Sequence, residues 1–343
     1  MGDITLDEVL SAYYDCRKNK RNTTQQIKFE FNLESNIYEL YDELKTRSYK
    51  PSSHIYFIIT KPKPREVWAA NFRDRIVHHV LYNRTKDIEN SYINHTYACL
   101  KNKGTLNCAY NVQKVLRRLW HIKDNYRFVH VDIANFFVSI DKTILKNRFL
   151  TSIEDEFSRY LVNIFIEQDP TKNYYYKGSS NLRNLIIPRK TLFGKKTGLP
   201  IGNLTSQLFA NFYLNDFDHF CGSSTPFYFR YMDDMLFIVH KKTNIRKFLE
   251  NINKNLNHLN LKLNDTKTKH NRLDVGINFV GYIIRPFSIY VRNSTKYRAK
   301  RAINTESINS YFGLLRKVNT YNLRKHIATI NNLNTFYYQK IIL

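Results

Sequence analysis

Apolar residues recur at helical spacing in two early stretches, and the pattern predicts amphipathic helices over 4–16 and 33–46. In the second, Leu33, Ile37, Leu40, Tyr41 and Leu44 fall on one stripe. The polar run 22–31 between them reads as a connecting loop. Residues 54–60 (HIYFIIT) are rich in β-formers, the Lys- and Pro-rich segment 61–65 turns the chain, and 66–70 return as a second strand. Helices are expected over 71–88, with Ile76, Val77, Val80 and Leu81 on one face, and over 105–120. A strand is expected at 127–133 and a helix from near Asp141. A polar insertion rich in Tyr, Lys and Asn spans about 170–197. Beyond it come a helix over 206–217, a hairpin over 227–239, a helix over 243–259, a short strand near 261–263 and an apolar stretch at 277–284. In the tail, Ile308, Tyr311, Phe312 and Leu315 make one helical stripe, and Leu323, Ile327 and Ile330 another.

Chemistry enters at the hairpin. Asp233 and Asp234 stand side by side between two apolar runs, Phe227–Phe229 and Met235–Val239. Adjacent carboxylates repel, and burying them without a partner is costly, so a divalent cation is the usual remedy. Asp132 ends a similar run, Phe128-Val129-His130-Val131. Three such acids suit nucleotidyl transfer, in which two Mg²⁺ ions about 4 Å apart activate a 3′-hydroxyl and stabilise leaving pyrophosphate. Mg²⁺ prefers oxygen and keeps several waters, so a few carboxylates suffice. The plainer alternatives are a solvated turn for the pair and a cap or turn role for Asp132.

Composition favours the same chemistry. The chain has 343 residues, with 54 Lys and Arg against 29 Asp and Glu, a net charge of +25. That excess suits a polyanionic partner. From Arg285 onward there are eleven Lys or Arg and one acid, Glu306, so the two tail helices are basic and suit phosphate contact. Cys16, Cys99, Cys108 and Cys221 show no zinc spacing and read as reduced thiols in a cytoplasmic protein. There is neither a signal peptide nor a run of the ~20 apolar residues a membrane helix needs.

Several segments in order resemble the reverse transcriptases. Phe229-Arg230-Tyr231-Met232-Asp233-Asp234 is similar to their signature. The segments Arg73–His79, Tyr97–Thr105, Asp132–Asp141, Gly198–Gln207 and Phe279–Tyr282 are similar to further motifs, over about residues 30–285. Most members carry Q-G-x-x-x-S-P where this chain has Ile201-Gly202-Asn203-Leu204-Thr205-Ser206-Gln207. That form resembles the reverse transcriptases of diversity-generating retroelements. They copy a template RNA with errors at adenines and work with a small, basic, oligomeric accessory protein. Retron and abortive-infection reverse transcriptases are the nearest rival, and a non-catalytic RNA-binding scaffold a more distant one.

The resemblance implies an α+β right-hand polymerase fold: an N-terminal helical extension (1–50), fingers (51–125), an antiparallel-sheet palm (126–284) and a small basic helical thumb (285–343). With the chain ending soon after the thumb, no RNase H or endonuclease domain is expected. Asp132, Ile133, Asp233 and Asp234 become the metal residues for two Mg²⁺ ions, with Mn²⁺ as a substitute, and the three acids the catalytic set. Lys61, Arg65, Phe136, Phe137, Ile201, Gly202, Gln207 and Lys267 are implied to face the nucleotide, with Lys63 and Lys269 as alternates near the phosphates. Phe137 stands where the family has its steric gate against ribonucleotides, with Phe136 as the alternative. Arg73, Arg75, Tyr231, Met232, Gly281, Tyr282, Arg298, Lys300 and Arg301 are implied to touch nucleic acid. Template RNA, primer or cDNA strand and dNTPs are the implied partners.

Overall fold

Ten strands form among the described residues, nearly all where β-branched and aromatic residues run together: β1 His54–Ile59, β2 Arg65–Ala69, β3 Tyr126–Asp132, β4 Tyr174–Tyr176, β5 Tyr228–Tyr231, β6 Asp234–His240, the polar β7 Lys269–Arg272, β8 Ile277–Phe279, β9 Tyr282–Ile284 and β10 Ile289–Val291. The computed structural model describes residues 2–18, 22–60, 64–183, 196–301 and 305–330. The chain divides into two interleaved compact units.

The first unit holds residues up to Tyr92, Ala134–Asp218 and Asn253–Lys262. Its sheet runs β2-β1-β4, with β1–β2 antiparallel and β1–β4 parallel. Most of its core is helical. Phe72–Thr85 buries Phe72, Ile76, Val77 and Leu81, and Glu156–Glu167 buries Leu161 and Val162. Arg84 is nearly buried and pairs with Glu8 at 2.8 Å and Asp155 at 2.9 Å, which ties Leu6–Arg17 and Glu156–Glu167 to the helix between them.

The second unit holds Ile93–Ile133, His219–Ile252 and the chain from Leu263 onward. Its main sheet is antiparallel in the order β5-β6-β3-β7. Phe128, Phe229, Leu236 and Ile238 pack with Cys108, Val112 and Leu116 of the helix Thr105–Leu119. On the opposite face Tyr228 stacks on Phe237, which meets Phe248 edge-on. A second sheet, β10-β9-β8, joins the same core through Phe279 and Ile284.

β1, β2, β3, β5 and β6 follow the hydrophobic pattern, whereas the polar, exposed β7 and the short β4 and β10 come in addition. Residues 22–31 are not simply a loop: Thr24–Phe31 is a helix. Thr23 caps it by accepting from the Gln26 N–H, and Phe29 supplies the buried anchor in an otherwise polar stretch. The expected strand near 261–263 is reduced to one bridge, Ile133 to Leu263. Helices Glu156–Glu167, Asn215–Ser224 and Asn293–Lys300 come in addition. The insertion contributes β4 and the turn Ser180–Arg183, while 184–195 lie outside the described residues. No helix among the described residues is long and apolar enough to cross a membrane. All four cysteines are reduced thiols.

Candidate active site

Strand register builds the acidic site. In the β3–β6 ladder Asp132 stands directly opposite Asp234, and in the β5–β6 hairpin Tyr231 stands opposite Asp234. Met232 and Asp233 are therefore the whole turn. Met232 takes φ +60°, the conformation that a right-twisted two-residue hairpin asks of its first central residue and that glycine usually supplies. Holding a methionine there costs about 1–3 kcal/mol, which the surrounding structure must offset. The buried Arg230 does part of this, donating to the Met232 carbonyl at 3.1 Å. The Ile133 N–H donates to the Asp233 carbonyl at 3.0 Å and joins the turn to the end of β3.

Each acid has a distinct environment. Asp132 accepts from Lys267 Nζ at 2.6 Å, and its carbonyl accepts from the Asn264 N–H at 2.7 Å. Asp234 pairs with Nε2 of His130, two residues before Asp132 and on the same face of β3. Asp233 has its carboxyl pushed up to about 6, first by burial, then by the negative charge of Asp132 and Asp234, with Lys267 opposing. Among the described residues, no three His, Cys, Asp or Glu side chains already converge as a metal centre. The donors nevertheless suit a hard divalent ion. They are carboxylate oxygens, and the repulsion that raises Asp233 is what a cation at the hairpin would relieve.

Residues 52–284 match the family model "Reverse transcriptase (RNA-dependent DNA polymerase)", well over half of the chain. The chain belongs to the reverse transcriptase family. That membership brings the right-hand polymerase fold. Family members generally use divalent metal ions, typically Mg²⁺. No curated protein matches it in sequence. Among solved structures it is similar to telomerase from Candida albicans in complex with a TWJ fragment of telomeric RNA, at 12% identity and a TM-score of 0.45, covering 92% of this chain and 61% of that one. Apo telomerase from Candida tropicalis gives 14% identity and a TM-score of 0.46, covering 89% and 63%. The chain thus spans less than two thirds of the length of those structures, and the family assignment stands on the sequence match alone.

The remaining candidate residues of this reverse transcriptase are distributed as follows. In the second unit Tyr231 is half-buried, Tyr282 is buried on β9, and Gly281 takes φ +91° in the β8–β9 turn. On the helix Asn293–Lys300, Arg298 donates to the Ser294 carbonyl and Lys300 is exposed; just beyond it Arg301 lies 4.2 Å over the Tyr297 ring. In the first unit Phe136 is buried, whereas Phe137 is only partly so. Gln207 is half-buried on Leu204–Tyr213, and Arg65 is exposed at the start of β2. Lys61 and Lys63 lie outside the described residues. Arg73 is engaged with Glu43 and Asp74, and Arg75 donates to the Ala70 carbonyl at 2.8 Å, so both are occupied within the protein.

The Ile201-Gly202-Asn203 segment docks on β2. Trp68 N–H donates to the Ile201 carbonyl at 2.9 Å, and Ala70 N–H to Asn203 Oδ1 at 2.8 Å. Gly202 has φ +123°, and a Cβ there would stand 2.8 Å from a Val67 methyl, so only glycine fits. Gly202 and Asn203 are thus committed to backbone docking, while the Ile201 side chain is left 37% exposed.

Residue-by-residue reading missed His130, Asn264 and Arg230 as parts of this site. For His130 a signal existed, because strand alternation places it on the face of Asp132. For Asn264 none did: its contact with Asp132 spans 132 residues of sequence.

Proposed function

We propose that this chain copies RNA into DNA through Asp132, Asp233 and Asp234, and that it serves error-prone cDNA synthesis in a diversity-generating retroelement. The register that sets Asp234 opposite Asp132 beside the Asp233 turn supports the catalytic part. Asp132 and Asp233 would hold Mg²⁺, Asp234 would tune the local charge through His130, and the main chain of Ile133 braces the turn. The ions supply activation of the primer 3′-hydroxyl and stabilisation of leaving pyrophosphate. Lys267, beside Asp132, is placed to meet phosphate oxygens or to hand a proton to the leaving group. Fingers over 51–125, palm over 126–284 and thumb over 285–343 complete the reading, with 1–50 as a helical extension. Template RNA, primer or cDNA strand, dNTPs and a small basic accessory oligomer are the proposed partners.

The test is Asp233→Asn, which keeps the shape of the turn and removes its charge. With a primed RNA template and Mg²⁺, cDNA synthesis should fall by roughly a hundredfold or more while RNA binding is retained. Unchanged synthesis would refute the metal assignment.

The retroelement assignment rests on Ile201. An exposed apolar side chain, on a backbone fixed by Gly202 and Asn203, offers contact but no hydrogen bond to a base or template. Selection by hydrogen bonding is therefore weakened there. Ile201→Gln should lower misincorporation opposite template adenine, as read by sequencing the cDNA; equal error rates would remove this account of the position.

A further inference from the structure

Asp233 sits between two peptide planes that the second unit fixes separately. The Arg230 guanidinium donates to the Met232 carbonyl at 3.1 Å, which pins the plane before Asp233. The Ile133 N–H donates to the Asp233 carbonyl at 3.0 Å, which pins the plane after it. A peptide unit is rigid, so holding both planes sets φ and ψ of Asp233 and with them the direction of its Cα–Cβ bond. Arg230 is fully buried, and a guanidinium is costly to bury; an apolar side chain would fill the same space without holding the turn. Arg230 is anchored in its turn. Its N–H donates to the His95 carbonyl at 2.9 Å, and its carbonyl accepts from the Tyr97 N–H at 3.0 Å, so residues 95–97 run as a short parallel partner beside β5. Lys103 fastens that partner. Its ammonium donates to the Asn94 carbonyl at 3.1 Å and the Thr96 carbonyl at 2.9 Å, and it lies 5.6 Å over the Tyr97 ring. These bonds commit Lys103, the lysine of the Tyr97–Thr105 motif, to the chain's own backbone.

We infer that Arg230 and Lys103 are positioning residues for the polymerase reaction: they brace the hairpin turn that aims the Asp233 carboxylate. The inference rests on the reading of Asp233 as a catalytic acid and adds the residues that keep it in place. Met232 at φ +60° is what makes a brace necessary. A methionine released from that region relaxes toward negative φ and carries the Met232–Asp233 plane with it. Misplacing a catalytic group by about 1 Å can cost on the order of a hundredfold in rate. Losing the brace therefore slows the chemical step and leaves dNTP binding nearly unchanged. Glycine takes the same φ without strain, so a turn with glycine at 232 needs no brace.

The experiment is a double-mutant cycle on the full chain, Arg230→Met against Met232→Gly, read by primer extension on an RNA template and by hydrogen exchange of the metal-free protein. Arg230→Met should lower kcat about thirtyfold with KM for dNTP within about twofold of the parent. Amides of the hairpin turn should exchange about tenfold faster, while the helix Thr105–Leu119 keeps its protection. In the Met232→Gly background the same substitution should cost less than about threefold in kcat. A purely structural Arg230 gives the opposite pattern: equal losses in both backgrounds, or faster exchange throughout the second unit. Either result overturns the inference, as does an unchanged kcat. Should Arg230→Met not fold, Lys103→Met decides, at a half-buried position. It should lower kcat about fivefold at unchanged KM and speed exchange at the turn, and behaviour like the parent overturns the inference. Asp233→Asn keeps the two readings apart. If it leaves synthesis intact, the catalytic reading fails; if it abolishes synthesis while Arg230→Met does not slow it, the brace alone fails.

Discussion

At the scale of single residues, neighbours in sequence have divergent fates. Phe136 and Phe137 touch, with ring centroids 5.6 Å apart, yet Phe136 is 2% exposed and Phe137 remains accessible at one side. A buried ring cannot face a substrate, so the accessible one is the better steric gate. Phe136→Ala should cost about 3–5 kcal/mol of stability through loss of core packing. Phe137→Ala should leave the urea midpoint nearly unchanged and admit ribonucleotides in a primer-extension assay. Continued rejection of ribonucleotides by a well-folded Phe137→Ala would move the gate elsewhere. The acids were legible from sequence because charge between apolar runs is expensive and so conspicuous. His130, Asn264 and Lys267 owe their places to strand pairing and a returning loop, which local patterning does not encode.

At the scale of elements, capping and a few buried anchors outweigh average polarity. The segment around Gln25 and Lys28 is too polar to announce a helix. Yet Thr23 accepts from the Gln26 N–H, Gln26 is buried, and Phe29 packs edge-on against Phe72. Thr23→Ala should therefore destabilise the protein by about 1 kcal/mol, and Thr23→Ser should not. Equilibrium urea unfolding of both variants decides it; equal midpoints for Thr23→Ala and the parent would show that packing alone holds the helix. The hairpin was readable because β5 and β6 are almost wholly apolar and separated by two residues. The strand expected near 261–263 shrinks to a short antiparallel contact at the end of β3, where the Asn264 N–H donates to the Asp132 carbonyl at 2.7 Å and Leu263 bridges Ile133.

At the scale of the whole molecule, buried neutral histidines set how stability depends on pH. His54 is 2% exposed, and burial pushes its pKa from 6.5 down to about 4, against the pull of Asp169. Burial lowers His78 as well; it stacks on Phe165 and bonds Thr205. In the unfolded chain these imidazoles take up protons near pH 6.5, whereas in the native state His54 does so only near pH 4. At these rings the unfolded state thus binds more protons across that window, so their contribution to stability falls as pH drops through it, while the raised Asp233 carboxyl contributes with the opposite sign. The urea midpoint of the parent relative to that of His54→Gln should be level above about pH 7 and fall by about pH 5. A difference between the two proteins that does not change across that range would contradict the burial of His54.

The chain's charge, its family motifs and its two acidic strand ends were determined by sequence alone, because each depends on residue type and short spacing. Which carboxylate meets which partner was decided only in the folded chain. Lys267 reaches Asp132, and His130 reaches Asp234. The physical reason is that pairing energies depend on distance and burial. Those quantities come into being only when strands distant in sequence lie side by side.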